Sequence, residues 1–213
     1  MKIALLHTAE VHVARFTAAF AERDPACRLD HLVRPDLLDR ARAEGLGAVA
    51  EDFRAAIAPL LQADALLCTC STLGPLLDDL HLPHAIRIDR PMMQAACLHG
   101  PRIGVALCLE STRDATLTLL EETARSKGAA IAPTVISCTD AWAAFETGDL
   151  DRYQDMIAAE VRNAMQMSRF DCIVLAQASM ADTAEKLADD GVPILTPPGA
   201  AVEAALDAAR NRI

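Results

Sequence analysis

Residues 64–74 have the sequence DALLCTCSTLG, in which an acidic residue leads into a short apolar run and then into a turn of small polar residues. A run that is apolar on both faces is typical of a parallel strand covered by helices on both sides. The turn contains a thiol, two hydroxyls and a glycine. We predict a strand at 64–69 and identify Cys70, directly after it, as the candidate reactive thiol.

The rest of the chain alternates short apolar runs with longer amphipathic segments, which is typical of an α/β fold with a mostly parallel sheet. Ser111 and Asp114 have the spacing of a capping box at a helix start, and Gly128 stands where that helix should end. Predicted strands lie at 2–7, 28–33, 64–69, 85–88, 102–107, 130–136, 171–176 and 192–195. Predicted helices lie at 10–22, 46–62, 75–80, 90–98, 112–127, 139–146, 150–168, 180–189 and 199–211.

The opening stretch has a counterpart in the second half of the chain, where residues 171–181 have the sequence DCIVLAQASMA. The first strand, KIALLHT at 2–8, is similarly matched by RIGVALC at 102–108. Any α/β protein can reuse such patterns, but an ordered set of matches favours a true repeat. The matched pairs are Asp64 with Asp171, Cys70 with Gln177, Thr72 with Ser179, and Pro83 with Pro193.

The repeat predicts two pseudo-symmetric lobes, each a mostly parallel four-stranded sheet flanked by helices. We assign residues 1–98 and the returning C-terminal helix at 199–213 to the first lobe, and residues 99–198 to the second. Ligands of open parallel sheets bind beyond the carboxyl ends of the strands. We therefore expect a ligand cleft between the lobes, with Cys70 and Gln177 on opposite walls.

Composition excludes several classes of function. The formal net charge of −10, without a run of Lys or Arg, argues against nucleic acid as a partner. No stretch of about twenty apolar residues predicts a membrane span. The N-terminus, MKIALLHTAEVH, predicts a strand and not a signal peptide. Seven scattered cysteines argue against a disulfide framework and favour a cytoplasmic protein.

A metal site is the less favoured interpretation of the cysteines near the candidate turn. Cys68 and Cys70 form a Cys-x-Cys pair, and His81 and His84 follow in the sequence. Tetrahedral sites use four ligands at tighter, recurring spacings. We therefore expect no metal, with Cys68 as a strand residue.

Four segments, taken in order, resemble the aspartate/glutamate racemase superfamily: ADALLCTCSTLG, RIGVALCLEST, DCIVLAQASMA and VPILTPPGAAVEAAL. The resemblance covers most of the chain. It implies two pseudo-symmetric α/β lobes that bind a small carboxylate or cyclic amide between them, with no metal or organic cofactor. The racemases use one cysteine from each lobe as acid and base. Relatives include hydantoin racemases, maleate isomerase and arylmalonate decarboxylase, and the decarboxylase needs only one of the two cysteines.

The sequence departs from the racemase pattern at the second cysteine, where Gln177 and Ala178 stand instead. A carboxamide does not transfer protons at useful pH, whereas two-base racemisation needs an acid and a base on opposite faces of the carbon. Cys172 lies at the start of its strand and does not replace the missing thiol. We expect Cys70 alone to be the catalytic thiol of an isomerase or lyase, for example in a decarboxylation.

Other side chains near the strand ends are expected to assist. His7 and Glu110 are candidates for the missing second proton carrier, with His7 preferred because it titrates near neutrality. The N–H groups of the turn and the dipole of the next helix are expected to lower the pKa of Cys70. Arg87 and Arg90 are expected at the surface, in salt bridges or as a rim that attracts anions. The expected substrate-binding residues are Thr8, Ser71, Thr72, Glu110, Thr112, Gln177 and Ser179.

Two rival functions remain open on the sequence alone. A non-catalytic protein of the same fold would bind a small carboxylate tightly without turnover. A redox protein would use reversible oxidation of Cys68 and Cys70. A homodimer is a possible assembly for either, and the substrate itself is not determined by the sequence.

Overall fold

The computed structural model describes residues 1–212, which form two α/β units. The first unit comprises Met1–Ile88 together with the segment that begins at Pro198, and the second comprises Asp89–Pro197. Each unit contains one four-stranded sheet in which all neighbouring strands are parallel. The predicted fold class, with its two parallel-sheet lobes, is confirmed.

The two sheets have the same topology. Their strand orders are β2-β1-β3-β4 and β6-β5-β7-β8. The elements of the first unit, in chain order, are β1 Lys2–His7, α1 Val11–Arg23, β2 Arg28–Val33, α2 Pro35–Glu44, α3 Ala50–Ile57, β3 Ala65–Cys68, α4 Gly74–Asp78 and β4 Ala85–Arg87. The elements that follow are α5 Arg90–His99, β5 Arg102–Leu107, α6 Glu110–Lys127, β6 Ala132–Ser137, α7 Trp142–Glu146, α8 Leu150–Met167, β7 Cys172–Leu175, α9 Thr183–Lys186, β8 Ile194–Leu195 and α10 Pro197–Arg212.

The central strands are buried on both faces, as their uninterrupted apolar sequences predict. Every residue of β3 and of β7 is buried. Helix α10 returns to the first unit, where Arg23 of α1 forms an ion pair with Glu203 at 2.6 Å and Arg212 donates to the carbonyl of Ala63 at 2.6 Å. Helix α10 therefore packs with elements of the first unit, although it follows the second unit in the chain.

Hydrogen bonds within each unit support the internal repeat. The Asp64 carboxylate accepts from the N–H of Lys2 at 2.7 Å, and the Asp64 N–H donates to the Lys2 carbonyl at 2.8 Å. Asp171 makes the same two bonds with Arg102, at 2.9 and 2.8 Å. The predicted pairing of Asp64 with Asp171 is therefore confirmed in local geometry.

The carboxyl ends of β3 and β7 also match. Thr69 donates its N–H to the carbonyl of Leu6, and Ala176 donates to Ala106, both at 2.9 Å. Each donor is the first residue after its strand. Cys70 and Gln177 follow these donors directly, so they occupy equivalent places in the two units.

Helix α5 groups with the second unit, although the sequence analysis assigned it to the first lobe. Its inward residues Met92, Met93 and Ala96 pack in one apolar cluster with Ile103 and Val105 of β5. The division between the units therefore falls earlier in the chain than the predicted boundary at residues 98 and 99.

Several helix predictions need correction. Helix α2 was not predicted, although Pro35 lies in its first turn and Leu37, Leu38 and Ala41 are buried. The predicted helix at 46–62 is a shorter helix, α3, flanked by two 3₁₀ turns.

The helix ends give one wrong and one confirmed prediction. Helix α6 begins at Glu110, and its N-cap residue, Leu109, makes no side-chain cap, so the predicted capping box is wrong. Gly128, with φ of 63°, ends this helix in the left-handed conformation that favours glycine, as predicted. None of the helices within residues 1–212 is both long and apolar enough to cross a membrane.

Candidate functional site

The Cys70 thiol lies in the turn between β3 and α4, and only 7% of the residue is exposed. Four donors among the described residues hydrogen-bond the sulfur: the hydroxyls of Thr8 and Thr72, and the backbone N–H groups of Thr72 and Leu73. Strands β1 and β3 are neighbours, with Leu6 opposite Cys68. Because parallel neighbours end at the same edge of the sheet, Thr8 lies beside Cys70.

Burial raises the pKa of the Cys70 thiol, and the four donors oppose that rise without reversing it. The expectation of a lowered pKa is therefore wrong in direction. The donors expected from the turn are present, but the loss of hydration outweighs them. The resting thiol is neutral at neutral pH, so it is suited to donate a proton, and the thiolate that remains would be stabilised by the same donors.

Arg87 packs against the turn that contains Cys70. The sequence did not indicate this position. It was expected at the surface, but it is 3% exposed and pairs with Asp78 at 2.7 Å. A Cβ atom on Gly74 would lie 2.6 Å from Nε of Arg87, so the guanidinium packs directly on this glycine. The Gly74 N–H donates to the carbonyl of Ser71 at 3.1 Å, which links Arg87 to the turn that contains Cys70.

His7 is fully buried, and both of its ring nitrogens have partners. Nδ1 lies 2.8 Å from the hydroxyl of Thr69, and Nε2 lies 2.9 Å from Nδ1 of His31. Burial, and then the charges of His31 and His12, lower the pKa of His7 to about 3. The ring is therefore neutral at physiological pH.

The hydrogen bonds of His7 also determine its tautomer. The Thr69 hydroxyl donates to the carbonyl of Leu6 at 3.1 Å, so it accepts from Nδ1–H of His7. Nε2 of His7 then accepts from His31. This arrangement favours a structural role for His7. Its catalytic role stays a prediction, which the engagement of both ring nitrogens makes less favoured.

In the second unit, Gln177 is held by the backbone after β5. Its Oε1 accepts from the N–H of Cys108 at 2.5 Å, and the residue is 7% exposed. A backbone N–H can only donate, so the atom that faces it is the amide oxygen. The –NH₂ group of Gln177 therefore remains as its donor, a group that can bind an oxygen but cannot transfer a proton.

Ser179 has a partner that the sequence analysis missed. Its hydroxyl lies 2.8 Å from the hydroxyl of Tyr153, a buried residue of α8. Tyr153 packs in the apolar cluster of the second unit, which fixes the position of its hydroxyl. Tyrosine hydroxyls that are buried usually find a hydrogen-bond partner, so a Tyr in a helix packed near a strand end was the available clue.

Of the remaining predicted residues, Ser71 is buried in the turn beside Cys70, and Glu110 and Thr112 lie in the first turn of α6. Thr112 is buried, whereas the Glu110 side chain is 63% exposed and forms an ion pair with Arg113. Substrate binding by both residues stays a prediction, and the exposure of Glu110 favours a solvent-facing role for it. For the part of the chain described, residues 1–212, no three His, Cys, Asp or Glu side chains form a group suited to a metal ion.

The family model described as Asp/Glu/Hydantoin racemase matches residues 16–205. The chain belongs to this racemase family. The matched range includes both Cys70 and Gln177. No curated protein matches the chain. Because racemases are isomerases, membership of the family identifies the chain as an isomerase-like enzyme.

Solved structures of racemases, and of a decarboxylase, share the fold of this racemase-family chain. An aspartate racemase of Picrophilus torridus matches with a TM-score of 0.74 and 13% identity, covering 98% of this chain and 94% of that one. A glutamate racemase isoform of Bacillus anthracis matches with a TM-score of 0.77 and 14% identity, covering 99% and 82%. An arylmalonate decarboxylase mutant in a sulfate-associated form matches with a TM-score of 0.59 and 15% identity, covering 99% and 94%. At these identities the likeness shows a shared fold.

Proposed function

We propose that the chain is a cofactor-independent enzyme that uses Cys70 as its single proton-transferring thiol on a small carboxylate. In this reaction a single group transfers protons on one face of the substrate carbon, as in a decarboxylation or an isomerisation. The observation that supports this most strongly is the contrast between equivalent positions. Four donors surround the thiol of Cys70, while Gln177 holds the matching place and has its oxygen tied to the backbone.

The protonation state of Cys70 supports a role as an acid. When a substrate carboxylate leaves as CO₂, or when a double bond shifts, the carbon that gains the electron pair needs a proton. The neutral Cys70 thiol donates that proton and becomes a thiolate, which Thr8, Thr72 and the N–H of Leu73 stabilise by hydrogen bonds. In a decarboxylation the thiolate then takes a proton from water, and in an isomerisation it takes the proton that the substrate loses, so the resting enzyme is restored in both cases.

The groups that accompany Cys70 are oxygen binders in this proposal. Gln177 offers its –NH₂ group, since Cys108 occupies its oxygen. Symmetric racemisation is less favoured because His7, the preferred second acid, is neutral and fully buried. The proposed substrate-binding residues are Thr8, Ser71, Thr72, Thr112, Gln177 and Ser179.

Turnover by a Cys70→Ala variant tests the proposal. The purified chain is incubated with a panel of small carboxylates and cyclic amides, comprising malonates, maleate, amino acids and hydantoins, and products are followed by NMR. Losing a general acid costs about 10²- to 10⁴-fold in rate, so we expect the variant to fall by that range or below detection. Cys172→Ala, which removes another buried thiol, is the matched control and keeps full activity. Full activity in Cys70→Ala overturns the proposal.

A second candidate function, carboxylate binding without turnover, is favoured by the same raised pKa of Cys70. A buried, neutral thiol is compatible with a site that has lost catalysis but kept its ligand. Calorimetry with the same panel separates the two functions. Tight binding that Cys70→Ala leaves unchanged, with no product from any compound, supports the binding protein.

A further inference from the structure

Two buried thiols of the second unit have no part in the proposed reaction. Cys108 follows β5 and Cys138 follows β6, and these strands are neighbours in the sheet. The register pairs Leu107 with Ser137, and the N–H of Cys138 donates to the carbonyl of Leu107 at 2.8 Å. Cys108 and Cys138 therefore occupy the next matched pair of positions beyond the strand ends.

This placement satisfies the backbone requirement of a disulfide. Neighbouring strands lie about 4.7–4.9 Å apart, and a disulfide joins residues whose Cα atoms are about 4.4–6.8 Å apart. Both side chains point to the same side, because Cys108 and Cys138 belong to one apolar cluster together with Tyr153. The two thiols also hydrogen-bond each other.

A small oxidant has a route to the pair. Cys138 lines a cavity of about 320 Å³ whose wall includes the exposed residues Ser137, Asp140 and Glu160. Cys138 is 2% exposed and Cys108 1%, and Cys108 is not among the residues that line this cavity. The oxidant therefore meets Cys138 first.

We propose that Cys108 and Cys138 are a site of oxidative modification, at which hydrogen peroxide drives formation of an intramolecular disulfide. The Cys138 sulfur attacks one peroxide oxygen, the O–O bond breaks, and Cys138 becomes a sulfenic acid as water is released. The Cys108 sulfur then attacks the sulfenic sulfur, the S–O bond breaks, and a second water leaves. Two thiols lose two electrons in total, and one peroxide is reduced to two waters.

The bridge would act on residues that the proposed function uses, and this part of the inference rests on that function. The backbone N–H of Cys108 holds Gln177, and its thiol contacts the hydroxyl of Tyr153, which bonds Ser179. Bridging Cys108 to Cys138 removes the thiol from Tyr153 and restrains the residue whose N–H holds Gln177. Oxidation therefore weakens substrate binding and raises KM.

The oxidation is slow at neutral pH. The hydrogen bond with Cys108, and then burial, raise the pKa of Cys138, and the thiolate is the form that attacks peroxide. The titratable groups around Cys138 are Cys108 at the end of β5, Asp140 in the turn after β6, and Tyr153 and Glu160 of α8.

Peptide mapping tests the bridge directly. The full chain is treated with hydrogen peroxide, the remaining thiols are blocked, and the digest is analysed by mass spectrometry without reductant. We expect one cross-linked pair of peptides, containing Cys108 and Cys138, that dithiothreitol separates. Cys138→Ser and Cys138→Ala abolish the pair, and circular dichroism checks that both variants fold. Cys172→Ala, which removes a different buried thiol of the second unit, retains the cross-linked pair. Irreversible oxidation of Cys138 without a bridge, or a bridge between other cysteines, overturns the inference.

The effect on substrate binding is measured separately from the bridge. In the wild-type chain, peroxide treatment raises KM, whereas oxidation of Cys70 lowers the active fraction and therefore kcat. In Cys138→Ser, in which Cys70 is equally exposed to peroxide, KM stays unchanged on treatment. An equal rise of KM in both proteins overturns the link to Gln177 and Ser179. The mapping result does not depend on turnover, so it stands if the proposed function fails.

Discussion

At the scale of single residues, the proposed chemistry depends on a thiol that is both buried and hydrogen-bonded. Cys70 loses most of its hydration, which raises its pKa, while Thr8, Thr72 and the N–H of Leu73 favour the thiolate. The balance leaves a neutral acid whose conjugate base has partners already in place. The hydrogen-bond donors therefore stabilise the thiolate that proton transfer would leave more than they stabilise the resting thiol.

Removing a hydroxyl donor tests this balance. In Thr72→Val we expect the pKa of Cys70 to rise further, because the thiolate loses a hydrogen bond. Hydrogen bonds to charged groups contribute about 1.5–3 kcal/mol, so kcat falls by roughly ten- to a hundredfold. The pH dependence of Cys70 alkylation and steady-state kinetics measure the two effects. Thr134→Val, at an exposed position of β6, is the control and changes neither. An unaltered alkylation profile in Thr72→Val contradicts the assignment.

The buried His7 predicts a pH dependence of stability. Its pKa is lowered to about 3 from 6.5, so as pH falls below 6.5 the unfolded chain binds a proton that the folded chain does not. The contribution of His7 is complete above pH 6.5 and is lost progressively as pH falls towards 3. Each bound proton makes the free energy of unfolding fall by about 1.4 kcal/mol per pH unit.

Urea unfolding between pH 7 and 4 measures this dependence. His7→Leu, which places in β1 the residue found at the equivalent place in β5, should show a smaller fall in the free energy of unfolding than the wild type. His99→Asn removes an exposed histidine and keeps the wild-type slope. Identical slopes in His7→Leu and the wild type show that His7 does not titrate as described.

At the scale of elements, the turn between β3 and α4 is shaped by packing from β4. Arg87, at the end of β4, lies against Gly74 at the start of α4 and pairs with Asp78 at its end. The glycine therefore lets a buried guanidinium approach the backbone of the turn. This contact sets the position of the turn that contains Cys70.

A methyl group on Gly74 disturbs this contact. In Gly74→Ala the new Cβ would lie 2.6 Å from Nε and 2.7 Å from Cζ of Arg87, so the guanidinium has to move. Overpacking of this kind costs about 1–3 kcal/mol, and we expect the free energy of unfolding to fall by that amount and kcat to fall with it. In Gly47→Ala no atom lies within 4 Å of the new Cβ, so its stability and activity match the wild type. Equal stability of the two variants refutes the packing role of Arg87.

The elements were predictable to different degrees. The eight strands follow from short apolar runs, and their division into two four-stranded sheets follows from the repeat. Helix α2 escaped prediction because only Leu37, Leu38 and Ala41 are buried in an otherwise charged segment. The equivalence of Cys70 and Gln177 in the two units also followed from the sequence. The partners of Gln177 and Ser179 did not, because their hydrogen bonds join groups from elements that are distant in the chain.

At the scale of the whole molecule, one topology occurs twice with different chemistry at matching positions. The bonds that join Asp64 to Lys2 and Asp171 to Arg102 are the same, so the scaffold is retained in both units. The thiol of the first unit and the amide of the second therefore differ within the same framework. The proposal of proton delivery by Cys70 alone rests on this difference within a fold shared with racemases.

The stereochemistry of proton delivery in D₂O tests the central claim most directly. The enzyme is incubated with a prochiral disubstituted malonate, and deuterium in the product is quantified by NMR and chiral chromatography. Cys70 as the only donor predicts a product with one deuterium at the reacting carbon, in one enantiomer, and a rate at least about a hundredfold lower in Cys70→Ala. A racemic deuterated product, or deuterium incorporation at the wild-type rate in Cys70→Ala, would contradict the account.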